Sequence, residues 1–396
     1  MRLALGVFRS SSSSPLFTVV ASTSTAFPSG HASTVTIGKR WREYQGANNW
    51  DGLLDPLDDA LRSEILRYGE FARASYTCFD FDPSSESYGK CRFPKCSLLQ
   101  RAGLPDTGYS ITRNLTATSG SRLPLWVEPV GRLLWPAGRA PKWFSRSTSW
   151  IGYVAECQDE DEIERLGRRD IVISYRGTAT FLEWMENFQT TLTHLPAPEL
   201  GSAKPVGIER GFWSLFTSAM PHCRSLRDQV REEIRRLIDK YSGRGRGMPL
   251  SLTVTGHSLG AALAVLTAYD ITTAFKDAPM VTVLSFGGPR VGNASFRRWL
   301  EQKGTKVLRI VNTQDIVTKL PGFVKEEEPK RSAADSTVED DGWLRSWSYA
   351  DIGRELRVSG GKTANVVACH DLSVYLKLLN QLSDNCPLRS LAAAST

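Results

Sequence analysis

The sequence predicts an α/β protein with a mainly parallel central sheet that is covered by helices on both faces. Three observations lead to this prediction. β-rich and helical segments alternate between residues 150 and 311, and residues 249–275 read as a strand, a sharp turn and a helix. The chain has 396 residues, 41% of them hydrophobic, which is enough for one large domain with additions. No run approaches the ~18 apolar residues of a membrane span, so we expect a soluble or membrane-peripheral protein.

The first segment of the chain has the composition of a targeting peptide. Residues 1–42 contain no Asp or Glu, and residues 10–36 hold 14 Ser or Thr, with early positive charges at Arg2 and Arg9. This composition is typical of a chloroplast transit peptide, which we place at residues 1–38. The alternatives are a secretory signal peptide and a disordered tail without a targeting function. The seven cysteines are widely spread, and we interpret them as thiols.

The rest of the chain is predicted to form one domain at residues 39–388, followed by a tail at residues 389–396. The domain divides into an N-terminal extension, residues 39–149, and a catalytic core, residues 150–388. The extension holds one clear helical pattern and one loop that is both basic and aromatic. We therefore expect a single folded unit with a short leader and a short tail.

The extension opens with a predicted amphipathic helix. Asp55-Pro56 is a start signal, and apolar side chains then recur at helical spacing from Leu57 (Leu61, Ile65, Tyr68 and Phe71). We expect this helix to pack on the core in a structural role. Residues 78–149 are less regular and are rich in Gly, Pro, Ser and Arg.

Residues 122–146 combine cations with aromatic rings. The segment has a single acid, Glu128, against five cations that are interleaved with four rings (Arg122, Trp126, Arg132, Trp135, Arg139, Lys142, Trp143, Phe144 and Arg146). Basic and aromatic side chains together suit an anionic membrane surface. The alternative is a loop whose tryptophans pack inward.

The core is predicted to alternate strands and helices. Trp150–Ala155 and Asp170–Tyr175 are β-rich and read as neighbouring strands joined by an acidic connection. A long helix, a strand, a shorter helix and a further strand are also predicted (226–241, 281–286, 295–302 and 306–311). This alternation is typical of a parallel sheet whose crossover helices cover both faces.

Ser258 is the candidate nucleophile. It stands in Gly256-His257-Ser258-Leu259-Gly260, between the predicted strand and the predicted helix of residues 249–275. This is the spacing of a nucleophile elbow, in which the serine backbone is strained and its neighbours lack side chains so that strand and helix can approach. The hydroxyl is thereby directed into a cleft.

The acid and the base are expected to follow the serine in the order Ser, Asp, His. Asp315 comes just after the predicted strand at 306–311, where a carboxylate is well placed to hold an imidazole. Of the five histidines, three precede the elbow and His257 adjoins Ser258, where we expect it to point elsewhere. His370 remains as the general base. Asp371 competes with Asp315, but a sequential neighbour on a helix faces away from its predecessor.

Two backbone N–H groups are candidates for an oxyanion hole. The strand at 170–175 leads into Thr178, where this architecture places one donor, and the other is the N–H of Leu259 after the nucleophile. No Cys/His cluster has metal-ligand spacing, and we expect no metal, no cofactor and no nucleic-acid partner.

The segment after Thr178 has one apolar helical face, formed by Phe181, Trp184, Phe188 and Leu192. As a lid, this face would cover the cleft and open onto a lipid surface. The alternative is a surface helix whose apolar stripe packs in the core.

These motifs together resemble the class 3 lipase family. The resemblance covers most of residues 39–388 and rests on five segments (Tyr175-Arg176-Gly177-Thr178, Gly256 to Gly260, Gly287 to Asn293, Asn312 to Asp315 and His370-Asp371-Leu372). More narrowly, Trp41 to Pro83, Leu166 to Asp170 and the acid-free leader resemble the plant chloroplastic class I phospholipase A1 group, of the anther-dehiscence-lipase type.

The resemblance implies an α/β-hydrolase fold with a lid insertion and a Ser-Asp-His triad. It also implies removal of the sn-1 acyl chain from phospholipids or galactolipids at plastid membranes, with release of linolenic acid for jasmonate synthesis. A lipase-like signalling scaffold without turnover is the alternative from another class, although every catalytic role has a candidate residue here. An acyltransferase or a triacylglycerol lipase would use the same triad, and the sequence does not determine the oligomeric state.

Overall fold

A computed structural model describes residues 37–82, 84–118, 148–178, 192–195, 205–242, 247–321, 349–360 and 366–382. The predicted transit peptide, the basic and aromatic loop at 122–146, the predicted lid and the C-terminal tail lie outside these residues. The described cysteines carry free thiols. Among the described residues, no helix has both the length and the apolar character that crossing a membrane requires.

Eleven strands occur within the described ranges. They are β1 Tyr109–Thr118, β2 Thr148–Cys157, β3 Arg169–Tyr175, β4 Leu192–Leu195, β5 Val206–Glu209, β6 Leu250–His257, β7 Met280–Phe286, β8 Gly292–Asn293, β9 Lys306–Asn312, β10 Tyr349–Ala350 and β11 Arg354–Val358.

The α-helices of the described residues are α1 Trp41–Tyr44, α2 Asp59–Thr77, α3 Leu98–Arg101, α4 Glu160–Leu166, α5 Arg210–Thr217, α6 Leu226–Ser242, α7 Leu259–Ala274, α8 Ala294–Gln302, α9 Val366–Cys369 and α10 Leu372–Gln381. Short 3₁₀ turns occur at Gly38–Arg40, Lys95–Ser97 and Val317–Lys319.

A seven-stranded sheet has the strand order β1-β2-β3-β6-β7-β9-β11. Within this sheet, neighbouring strands are parallel among β3, β6, β7, β9 and β11, whereas β2 runs antiparallel to both β1 and β3. A smaller antiparallel sheet has the order β10-β8-β5-β4. The prediction of a mainly parallel α/β sheet is therefore confirmed.

The side chains of strand β6 alternate between apolar and polar residues, and each of the two faces packs on a different helix. Leu252 and Val254 are fully buried in the apolar core that includes α7 residues such as Leu263. On the opposite face, the Thr253 hydroxyl donates to the Tyr68 hydroxyl at 3.2 Å and the Thr255 hydroxyl to the Tyr68 carbonyl at 3.2 Å. Since Tyr68 belongs to α2, one face packs on α7 and the other on α2.

The structure corrects the expectation that residues 78–149 are irregular, because β1 occupies Tyr109–Thr118 within them. The register of β1 on β2 shifts between Ile111 and Arg113 and again between Leu115 and Thr116. Such irregularities break the two-residue alternation by which a strand is recognised in a sequence. Helix α2 also starts at Asp59 and not at Leu57, since the Asp58 carboxylate caps it by accepting from the Leu61 N–H at 2.9 Å.

Candidate active site

Ser258 lies at the tight turn between strand and helix. β6 ends at His257 and α7 begins at Leu259, which leaves Ser258 between them with φ 58° and ψ −124°. A positive φ is strained for any residue with a side chain. A Cβ on Gly256 would collide with the Gly260 backbone, and a Cβ on Gly260 would collide with the Tyr175 carbonyl. Both glycines are therefore required for α7 to start so close to the sheet.

The Ser258 hydroxyl opens into a cavity of about 290 Å³ that Thr178 and His370 also line. The serine is 2% exposed, and its Oγ has no hydrogen-bond partner among the described residues. A buried hydroxyl without a partner costs folding free energy. The elbow thus keeps a reactive oxygen available for a ligand in the cavity.

Asp315 contacts the His370 imidazole at its Nδ1 atom. It follows β9 and is fully buried, and its Oδ2 lies 2.7 Å from His370 Nδ1. The Tyr375 hydroxyl donates to the same Oδ2 at 2.6 Å, and the Val317 N–H donates to Oδ1 at 2.9 Å. Burial and the Asp315 charge raise the pKa of Tyr375 well above its usual value, so the phenol remains a donor. With Nδ1–H donated to this carboxylate, His370 Nε2 presents its lone pair as a base.

Asp371, the competing acid, has a different role in the structure. Its side chain is exposed, and Oδ1 caps α10 by accepting from the Ser373 N–H at 2.7 Å. The structure thus brings together Ser258, His370 and Asp315, with Asp315 as the carboxylate on the imidazole. Asn312, the last residue of β9, holds the backbone next to His370, because its side-chain amide donates to the Cys369 carbonyl at 2.9 Å.

Leu259 and Thr178 are the two residues whose N–H groups are predicted to form the oxyanion hole. Leu259 is the first residue of α7, and the first N–H groups of a helix have no partner within it. Thr178 follows β3 and lines the cavity, and its buried Oγ1 has no hydrogen-bond partner among the described residues. Thr178 therefore borders the space into which Ser258 opens, and Leu259 directly follows the serine at the start of α7.

Phe181, Trp184 and Phe188 lie outside the described residues. Leu192, predicted on the same helical face, instead begins strand β4, where it pairs with Glu209, so the helical pattern does not extend to it.

His257 lines the same cavity, although the sequence predicts that it points elsewhere. Its Nε2 lies 2.7 Å from the His370 carbonyl oxygen, and its Nδ1 lies 2.7 Å from the Tyr76 hydroxyl. A carbonyl only accepts, so Nε2 carries the proton and Nδ1 accepts from Tyr76. The Tyr76 oxygen in turn accepts from the Gly177 N–H at 2.9 Å. Burial, aided by His370, lowers the pKa of His257 well below its usual value, so this ring is neutral.

Tyr76 and His257 thereby connect three segments of the site. The chain of hydrogen bonds runs from Gly177, beside Thr178, through the elbow to the backbone of His370. The sequence predicts only a packing role for α2, because no motif marks Tyr76 and its partners lie 101 and 181 residues away. These contacts depend entirely on the tertiary fold.

Replacing Tyr76 with phenylalanine is expected to lower kcat for a short-chain p-nitrophenyl ester by about 10-fold, with little change in KM. The reason is that His257 Nδ1 and the Gly177 N–H lose their partner, a cost of about 1–3 kcal/mol that loosens the site. Tyr68→Phe is the matched control, since it removes another buried hydroxyl of α2 that bonds Asp170 at 2.7 Å, away from the cavity. If both variants lower the melting temperature and neither changes kcat, the positioning role of Tyr76 is wrong.

An elbow serine beside a buried carboxylate–imidazole pair, on a mainly parallel sheet covered on both faces, defines a serine hydrolase of the α/β-hydrolase fold. Residues 172–325 match the family model for lipase (class 3). The chain belongs to the class 3 lipase family, and it is a carboxylic-ester hydrolase as the sequence predicts. In the described residues, no group of three or more His, Cys, Asp or Glu side chains is arranged to hold a metal ion.

The chain is similar to plant lipases over most of its length. It is 53% identical to chloroplastic phospholipase A(1) DAD1 of Arabidopsis thaliana, over 92% of this chain and 82% of the relative. It is 39% identical to chloroplastic galactolipase DONGLE of the same plant, over 88% of this chain and 72% of the relative. Among solved structures, the nonglycosylated LIP2 lipase of Yarrowia lipolytica aligns at 17% identity with a TM-score of 0.45, over 76% of this chain and 80% of that one. The plant relatives' names agree with the predicted chloroplast location.

Proposed function

We propose that this protein is a chloroplast phospholipase A1 that also acts on galactolipids, cleaving the sn-1 acyl ester to release a free fatty acid. The observation that carries this proposal is the placement of Ser258 and His370 at one cavity, with the buried Asp315 carboxylate 2.7 Å from His370 Nδ1. The names of the relatives at 53% and 39% identity supply the two lipid classes. Linolenic acid, a precursor for jasmonate synthesis, is the proposed product.

In the proposed mechanism, His370 Nε2 takes the proton of the Ser258 hydroxyl as the oxygen attacks the ester carbonyl. Asp315 holds the imidazole by its Nδ1–H and stabilises the imidazolium that forms. The N–H groups of Thr178 and Leu259 bind the developing oxyanion. His370 then protonates the leaving alcohol, the lysolipid, and the same histidine activates the water that hydrolyses the acyl-enzyme.

The proposed domain layout suits action at a lipid surface. Residues 1–38 are proposed to direct the chain to the plastid, and residues 39–388 to form the enzyme. Contact with the membrane is proposed to be peripheral, through the basic and aromatic side chains of residues 122–146 and a lid that contains Phe181, Trp184 and Phe188.

Analysis of the released products on defined lipids tests the substrate assignment. Phosphatidylcholine and monogalactosyl diacylglycerol with different acyl chains at sn-1 and sn-2 are each offered in mixed micelles, beside triacylglycerol. The expected product is the sn-1 fatty acid from both polar lipids, at a higher rate than any acid from triacylglycerol. Predominant release of the sn-2 acid, or a clear preference for triacylglycerol, would contradict the proposal.

The lid hypothesis predicts that the double change Phe181→Ser and Trp184→Ser separates two activities. Hydrolysis of bilayer lipid is expected to fall by roughly 100-fold, because two aromatic side chains no longer enter the lipid surface. Hydrolysis of a short-chain p-nitrophenyl ester in solution is expected to change little. If the stripe packs in the core instead, both activities and the melting temperature fall together, since each lost aromatic costs about 3–5 kcal/mol.

A further inference from the structure

Cys78 and Cys91 lie on two neighbouring backbone segments at the end of α2. Cys78 is the C-cap of that helix, and the next residue, Phe79, forms an antiparallel bridge with Cys91. The Arg92 N–H donates to the Cys78 carbonyl at 2.7 Å, which holds the two segments together. Directly paired residues have Cα atoms about 4.5–5.5 Å apart, and Cys78 adjoins the residue that pairs with Cys91. The two cysteines therefore lie close to the Cα separations of about 4.4–6.8 Å that disulfides span.

The two thiols differ in access and in acidity. Cys78 is fully buried and its Sγ points to the Leu98 carbonyl at 3.8 Å, whereas Cys91 is half-exposed. Cys91 Sγ lies 3.3 Å from the Phe93 carbonyl. The interaction between the neighbouring thiols, together with burial, raises the pKa of Cys78, and the same interaction lowers the pKa of Cys91. The accessible thiol is therefore the one that ionises more readily, as expected for an attacking cysteine beside a buried resolving cysteine.

We propose that Cys78 and Cys91 are a thiol–disulfide pair that closes when the protein meets a disulfide oxidant such as glutathione disulfide. The Cys91 thiolate attacks one sulfur of the oxidant, which forms a mixed disulfide and releases one glutathione thiolate. Cys78 then loses its proton and attacks the Cys91 sulfur, which releases the second glutathione. Two protein thiols are thus oxidised to one disulfide, and one glutathione disulfide is reduced to two glutathione thiols.

Closure ties residues 79–91 to the end of α2, the helix that carries Tyr76. Because Cys78 is buried in the helix cap and Cys91 is half-exposed, the Cys91 segment is the one that moves to make the bond. The cross-link restricts the unfolded chain over this loop and stabilises the folded protein. The expected rise of the melting temperature is about 4 °C.

The test uses the full chain, first reduced with dithiothreitol and then oxidised with glutathione disulfide. Trypsin cleavage after Lys90 separates the two cysteines, so a non-reducing mass map identifies the linked peptides directly. We expect a peptide pair joining Cys78 to Cys91, two hydrogen masses lighter than the sum of its thiols, and a higher melting temperature than in the reduced protein. Dithiothreitol is expected to reverse both changes.

Three variants make the outcome decisive. Cys96→Ser removes an exposed cysteine close in sequence and is expected to keep both the linked peptide and the thermal shift. Cys91→Ser and Cys78→Ser are expected to lose both; if burial of Cys78 prevents that variant from folding, Cys91→Ser carries the comparison. The proposal is overturned if oxidised Cys91 carries only glutathione, or if either cysteine links to a third one instead. A linked peptide without a thermal shift overturns the stabilising role.

Discussion

Replacing Ser258 with alanine is expected to lower kcat for ester hydrolysis by about 10⁶-fold while the protein stays folded. The Oγ is the only part removed, and it has no hydrogen-bond partner among the described residues that the fold would lose. The nucleophile and its base act as a unit, so loss of the nucleophile removes nearly all the rate that the triad provides. The measurement is turnover of a short-chain p-nitrophenyl ester, with the melting temperature recorded on the same preparation.

Ser373→Ala is the matched control for this variant, because Ser373 is an exposed serine that lines the same cavity. It is expected to retain turnover within about 2-fold of wild type, since surface substitutions of this kind usually change little. Turnover of Ser258→Ala close to that of the wild type would end its assignment as the nucleophile.

The change Asp315→Asn is expected to lower kcat by about 10⁴-fold. An amide of the same shape can donate to His370 Nδ1, which leaves the proton on Nε2 and removes the base that faces Ser258. The amide nitrogen then occupies the position of Oδ2, which lies 2.6 Å from the Tyr375 hydroxyl, so it donates to the phenol oxygen as well, while the amide oxygen still accepts from the Val317 N–H and the packing is kept. Turnover of the soluble ester measures the loss, and circular dichroism checks the fold.

Asp371→Asn provides the comparison for Asp315→Asn, because the two acids are the rival partners of His370. Asp371 caps α10 through the Ser373 N–H at 2.7 Å, and asparagine is an equally good cap. Its turnover is expected to stay within about 2-fold of wild type. If Asp371→Asn loses the larger share of activity, the orienting carboxylate is Asp371 and the assignment of Asp315 fails.

The predicted site residues depended on local patterns that survive in a linear sequence. Gly256 and Gly260 are needed because a Cβ at either position would collide with backbone atoms. This steric requirement fixes the Gly-x-Ser-x-Gly spacing, which can be recognised in the sequence. Asp315 could be found because the end of a parallel strand points to the edge of the sheet where the elbow also lies. The alternation of β-rich and helical segments likewise predicted the parallel strands β3, β6, β7 and β9, which are buried on both faces.

Strand β1 and the support of the triad were decided only by the tertiary structure. Because its register shifts twice, β1 lacks the regular two-residue alternation by which a strand is recognised in a sequence. Tyr375 and Asp315 are 60 residues apart, and Tyr76 and His257 are 181 residues apart, yet each pair forms a buried hydrogen bond. A tyrosine in a helix has the same local signature whether its hydroxyl meets solvent, a carboxylate or an imidazole. What the sequence by itself determined was the order of strands and helices and the reactive groups at their ends, because these follow from local sterics and periodicity. The groups that hold them in place depend on which distant segments the packed core brings together.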